Sequence, residues 1–88
     1  MSQKYESVAD IFEGITYLRD QLLQAGASDA AAELSEVITS SWATASEAVG
    51  ESKLSLEKVR PEVDARVPQA SGLLAELSAA AQRLWDGA

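Results

Sequence analysis

Fourteen acidic side chains, with no histidine and no cysteine, set the chemistry open to this 88-residue chain. Without imidazole or thiolate there is no ordinary general base, no partner to activate a serine, and none of the nitrogen and sulfur ligands that zinc prefers. What remains is carboxylate chemistry. Glu33 and Glu36 lie one helical turn apart, and such a pair can bind a divalent cation or share acid–base work. Nothing around them strengthens that reading. No stretch resembles the Asp-x-Asp-x-Asp-Gly loop of a calcium site, and Gly50 and Gly72 stand alone rather than in a phosphate-cradling loop. An enzyme working by carboxylates alone, or with a metal, therefore rests on one spacing. The expectation is a non-enzyme with no catalytic residue, metal or cofactor.

Charge points instead to recognition. Seven basic residues against fourteen acidic ones leave a net charge of -7, a field that repels nucleic-acid phosphates and anionic lipid headgroups, so neither nucleic acid nor membrane is expected as a partner. The charge is unevenly spread. No Lys or Arg occurs between Arg19 and Lys53, an interval that holds Asp20, Asp29, Glu33, Glu36, Glu47 and Glu51, whereas Lys53 to Arg66 is slightly positive. One reading is a pair of solvated helix faces. The sharper one is a docking surface for a basic partner, built from Asp29, Glu33, Glu36, Glu47 and Glu51.

Three apolar residues add to that list. Tyr17 falls on a polar face with Asp10, Glu13, Asp20 and Gln24, and Leu54 sits among Glu47, Glu51 and Lys58. A tyrosine or leucine ringed by charge has the composition of an interface anchor. Trp42 either plugs a corner between helices or serves as a binding residue. Acyl and peptidyl carriers are also small acidic helical bundles, but their cofactor serine follows an aspartate. No Asp-Ser pair occurs here, and the comparable position reads Ser28-Asp29-Ala30.

These residues need elements to hold them, and the apolar spacing supplies helices. Val8, Ile11, Ile15, Leu18, Leu22 and Ala25 recur at intervals of three and four, with Phe12 and Leu23 widening the stripe, which predicts a helix over about residues 4–25 stopped by Gly26. Gly14 inside it costs about 1 kcal/mol relative to alanine. Ser28 or Asp29 is placed to cap a second helix over 29–40. The serine- and threonine-rich tract from Thr39 to Thr44 competes for backbone hydrogen bonds and predicts a break, although one kinked helix from Asp29 to Arg60 fits nearly as well. Thr44 followed by Glu47 fits a capping box opening a third helix over 45–60, with Val49, Leu56, Val59 and Val63 continuing its stripe through Ser52. Pro61 and Pro68 then bracket a loop or a single turn. Val67, Ala70, Leu74, Leu77, Ala81 and Leu84 mark a last helix over 69–86, where Trp85 is placed to cover the open end of the bundle.

The fold class that follows is all-α: one domain over 1–88, a small antiparallel bundle of three or four helices. Aromatic residues make up 6% of the chain and several stripe positions are alanine or serine, so the core is lean and docking to a partner or a second copy is expected to add stability. Met1–Asp10 has neither the basic n-region nor the apolar h-region of a secretory signal, so the expected location is the cytoplasm. The expected function is a non-enzymatic protein–protein interaction module that binds another protein or itself. Its alternatives are an immunity- or antitoxin-like charge mimic that neutralises a basic toxin or nuclease, a secretion chaperone or adaptor, and the carboxylate or metal enzyme.

Overall fold

A helix can begin only where something satisfies its first free N–H groups, and the side chains here place the starts. Ser7 has extended backbone angles and its hydroxyl accepts from the Asp10 N–H at 3.2 Å, while the Asp10 carboxylate accepts from the Glu6 N–H at 3.1 Å. That exchange starts α1 (Val8–Gln24). The computed structural model describes residues 5–87, so the expected start at Lys4 lies outside the described residues; Tyr5 to Ser7 precede the helix because Ser7 is its cap.

Gly26 ends α1 as expected, with φ of +81°. The Ala27 N–H donates to the Leu22 carbonyl at 2.9 Å and the Gly26 N–H to the Leu23 carbonyl at 3.1 Å, the paired bonds of a Schellman turn. Ala27 is then also the N-cap of α2 (Ser28–Thr39), whose Ala31 N–H donates to the Ala27 carbonyl at 3.0 Å. The cap expected from Ser28 or Asp29 is therefore not made. The turn is so short that Ser28 is already helical, and no side chain caps α2.

The break after α2 falls in the serine- and threonine-rich tract, which decides against one kinked helix. Thr39 Oγ1 donates to the Ser35 carbonyl at 2.7 Å, Ser40 Oγ to the Glu36 carbonyl, and Trp42 Nε1 to the Val37 carbonyl at 2.9 Å. Side chains thus occupy carbonyls at the end of α2, and the backbone leaves the helix at Ser40. Thr44 then caps α3 (Ala45–Arg66), its hydroxyl accepting from the Glu47 N–H at 3.1 Å.

α3 does not stop at Arg60. It runs through Pro61, and the expected loop between the prolines is helix as far as Arg66. A proline inside a helix costs about 3 kcal/mol, chiefly through a lost hydrogen bond and a clash with the carbonyl four residues back. Here Pro61 and Glu57 are both exposed, so the carbonyl without a donor belongs to a solvent-facing residue. Ending the helix early would instead expose Val63 and Val67, both buried, and each is worth roughly 1.5–3 kcal/mol. Burial outweighs the proline. Val67, whose spacing groups it with the last helix, accordingly caps α3; Pro68–Ala70 form a 3-10 turn, and α4 covers Ser71–Gly87 where a helix over 69–86 is expected. Ser71 Oγ donates to Asp64 Oδ1 at 2.8 Å and ties that corner together.

Four helices and no strand make up the described residues, an all-α bundle. The α2–α3 and α3–α4 pairs run antiparallel: Glu33 of α2 pairs with Lys58 of α3 while Trp42, past the end of α2, shares a hollow with Glu51, and Trp85 of α4 lies over Gly50 while Ser71 binds Asp64. α1 packs on α2 and α4 and also touches α3, so the core lies between all four. Ile11, Ile15, Leu18, Leu34, Leu56 and Leu77 are sealed in it, with the small Ala31, Ala80 and Ala81 buried among them. The bundle is flat, 35 × 32 × 17 Å along its principal axes. Two expected core roles fail. Leu23 is 52% exposed, because the α1 stripe is narrower than its leucine content, and Trp85 lies on the outside of the bundle rather than over its end.

Candidate binding groove

The two sides of α3 differ sharply. Val49, Ser52, Leu56, Val59 and Val63 face the core, and the Ser52 hydroxyl is accommodated there by donating to the Ala48 carbonyl at 2.8 Å. The outer side carries Ser46, Gly50 and Leu54 in a line at intervals of four, with Glu47 and Glu51 beside it. Small residues at 46 and 50 leave a furrow, and Leu54 closes one end.

Trp85 forms one wall. Its indole lies across Gly50 so closely that a Cβ at that position would stand 3.0 Å from Cζ3, and the Lys53 ammonium rests 5.3 Å from the ring centroid. Trp42 forms the other wall, held by its bond to the Val37 carbonyl. Together these residues bound a groove of about 400 Å³. Leu54 is 58% and Trp85 46% exposed, so both offer apolar surface to an incoming group.

The groove continues into a narrower hollow between α2 and α3 with which it shares Trp42 and Glu51; Glu33, Glu36 and Ser55 line this part. Glu33 is neutralised by Lys58 at 3.2 Å. Further along α3, Glu57 pairs with Arg60 at 3.1 Å and Glu62 with Arg66 at 3.2 Å. Among the described residues, Glu36, Glu47 and Glu51 have no such partner. Three unneutralised carboxylates of α2 and α3 thus gather beside the tryptophans, whereas Asp29 and Asp64, also outside these ion pairs, lie elsewhere.

The candidate residues read from the sequence are divided by the fold. Trp42, Glu47, Glu51 and Leu54 line one groove, and Glu33 and Glu36 adjoin it. Asp29 lies farther off, in a hollow with Gly26, Glu62 and Arg66 that shares Glu33 and Lys58 with the α2–α3 hollow but no residue with the groove between the tryptophans. Tyr17 is 60% exposed but belongs to the α1–α4 side, beside Tyr5, Leu73 and Glu76, and that depression shares no residue with the groove. Trp42 combines its two readings, since its N–H anchors a corner while its ring lines the groove. Gly50, Lys53 and Trp85 were not among the candidates. The line of Ser46, Gly50 and Leu54 is the signal that marks a furrow; nothing in the sequence pairs it with Trp85, which arrives from another helix.

The described residues contain no cluster of three or more Asp, Glu, His or Cys side chains able to hold a metal ion, and no helix long and apolar enough to cross a membrane. No protein family, curated protein or solved structure matches the chain.

Proposed function

We propose that this chain is a non-enzymatic protein-binding module whose contact surface is the groove between Trp42 and Trp85. One observation carries this reading: Leu54 stands exposed between two tryptophans, and no part of the described chain covers it. Interface cores are rich in tryptophan and ringed by polar groups that exclude water once the partner is seated, and this arrangement has that composition.

Site-specific photo-crosslinking in the producing cell tests it. A photoreactive amino acid at Leu54 or Ser46 is expected to give one discrete protein adduct that is missing when the same group stands at exposed Ala32 or Gln82. No adduct from the groove positions, or the same adducts from all four, would refute the reading.

The unpaired Glu36, Glu47 and Glu51 favour a second reading, in which the module neutralises a basic toxin or nuclease by charge mimicry, with Asp29 and Glu33 contributing. There, binding weakens steeply with salt and Leu54→Ser leaves it unchanged.

A further inference from the structure

We infer that the groove takes a foreign segment with a large apolar side chain flanked by lysine or arginine, and not a second copy of this chain. This rests on the groove reading above and names its occupant from charge.

The walls select the apolar part. Trp42, Trp85 and Leu54 bound a space of about 400 Å³ also lined by Gly50 and Ser46, room enough for a leucine, phenylalanine or tryptophan entering from solvent. The rim selects the cations. Glu47 and Glu51 border the apolar space, Glu36 lies just beyond Glu51, and none of the three is neutralised within the described chain. Lys53 also lines the groove, but its ammonium is held over the Trp85 ring, so selection of an incoming cation falls to the three carboxylates.

A second copy meets these requirements poorly. Arg19, Lys58, Arg60 and Arg66 are each committed to a carboxylate of their own chain, and Lys53 to Trp85. Of the described cations only Arg83 lacks such a contact, so a copy brings a net charge of -7 and, among its described residues, one uncommitted cation to an acidic rim. Like charges placed across an interface act against it.

The test uses fluorescence anisotropy with three labelled amphipathic helical peptides of leucine and, in turn, lysine, glutamine or glutamate. The proteins are the full chain, Glu47→Gln/Glu51→Gln, Leu54→Ser, and a control, Glu13→Gln/Glu76→Gln, that removes the same charge from the α1–α4 side. All altered residues are exposed, and circular dichroism checks that each variant keeps its helices.

The lysine peptide is expected to bind the full chain about tenfold or more tighter than the glutamine peptide, and the glutamate peptide not at all. Both groove variants should lose about tenfold while the control loses less than about twofold. Equal weakening by the control would overturn the inference, because it reveals attraction to charge in general. Equal affinity for lysine and glutamine peptides, with Leu54→Ser abolishing both, would overturn the cationic occupant and leave the groove reading standing. Leu54→Ser leaving lysine-peptide binding intact would remove the groove itself. Light scattering that finds a dimer dispersed by Leu54→Ser would replace the foreign segment with a second copy.

Discussion

Gly14 and Ser78 are single positions at which the bundle departs from what helix propensity would choose. A Cβ at Gly14 would collide with Leu77 Cδ2 and lie 3.0 Å from Tyr5 Cε1, and Leu77 is sealed in the core with little freedom to yield. The glycine is a point of close approach between α1 and α4. Gly14→Ala gains about 1 kcal/mol of helix propensity but incurs an overpacking penalty of about 1–3 kcal/mol, so urea unfolding should find the variant less stable. A more stable variant would mean that Leu77 can move. At Ser78 the hydroxyl is buried without a hydrogen-bond partner, which predicts that Ser78→Ala stabilises by about 1 kcal/mol in the same assay. Neither effect is legible in the sequence, where Gly14 reads only as a weakness in a helix and Ser78 as one more small residue. What they meet comes from other turns of the chain. Leu54 was legible, because an apolar residue among charges stands out within its own helix.

Among the elements, types and order follow from local pattern, and boundaries follow only where the cap is local too. Ser7, Gly26 and Thr44 act through neighbours within a few residues, so α1 ends and α3 begins where turn chemistry directs. The far end of α3 is set by packing. Nothing between Arg60 and Val67 reveals that Val63 and Val67 will be buried by other helices, and the prolines argue locally for a loop. This balance yields a prediction. Pro61→Ala restores a donor for the Glu57 carbonyl and removes the ring clash, a gain offset by about 0.4–1 kcal/mol of added freedom in the unfolded chain. Thermal and urea midpoints should both rise, by about 1 kcal/mol or more in stability. A lowered midpoint would show that α3 depends on a bend at Pro61.

For the molecule as a whole, the decisive quantities are charge and thickness. The two helix segments that hold most of the excess charge are packed against each other, so folding brings Glu36 and Glu51 into one hollow. Exposed ion pairs such as Arg60–Glu57 contribute about 0–1 kcal/mol each, and salt weakens them, but it weakens the broader repulsion as well. With net charge of -7, repulsion dominates, and the melting temperature should rise by a few degrees between about 10 mM and about 500 mM sodium chloride. A falling melting temperature would show that the pairs contribute more than the excess charge removes. The overall charge and the lean core were both visible in the composition. The flatness of the bundle was not, since it depends on how four stripes of different width meet.

The sharing of Ala27 between two helices governs where this scaffold can be altered. Because the same residue finishes one rod and launches the next, their mutual angle is fixed by hardly any intervening chain, and a single inserted amino acid there would rotate the second rod by about 100° against its seat. At the second junction Ser40 and Trp42 are bonded to the preceding rod and Thr44 caps the next, which leaves exposed Ala43 between them with no such obligation. Graftable length, and any evolutionary variation in span, belongs at that second junction.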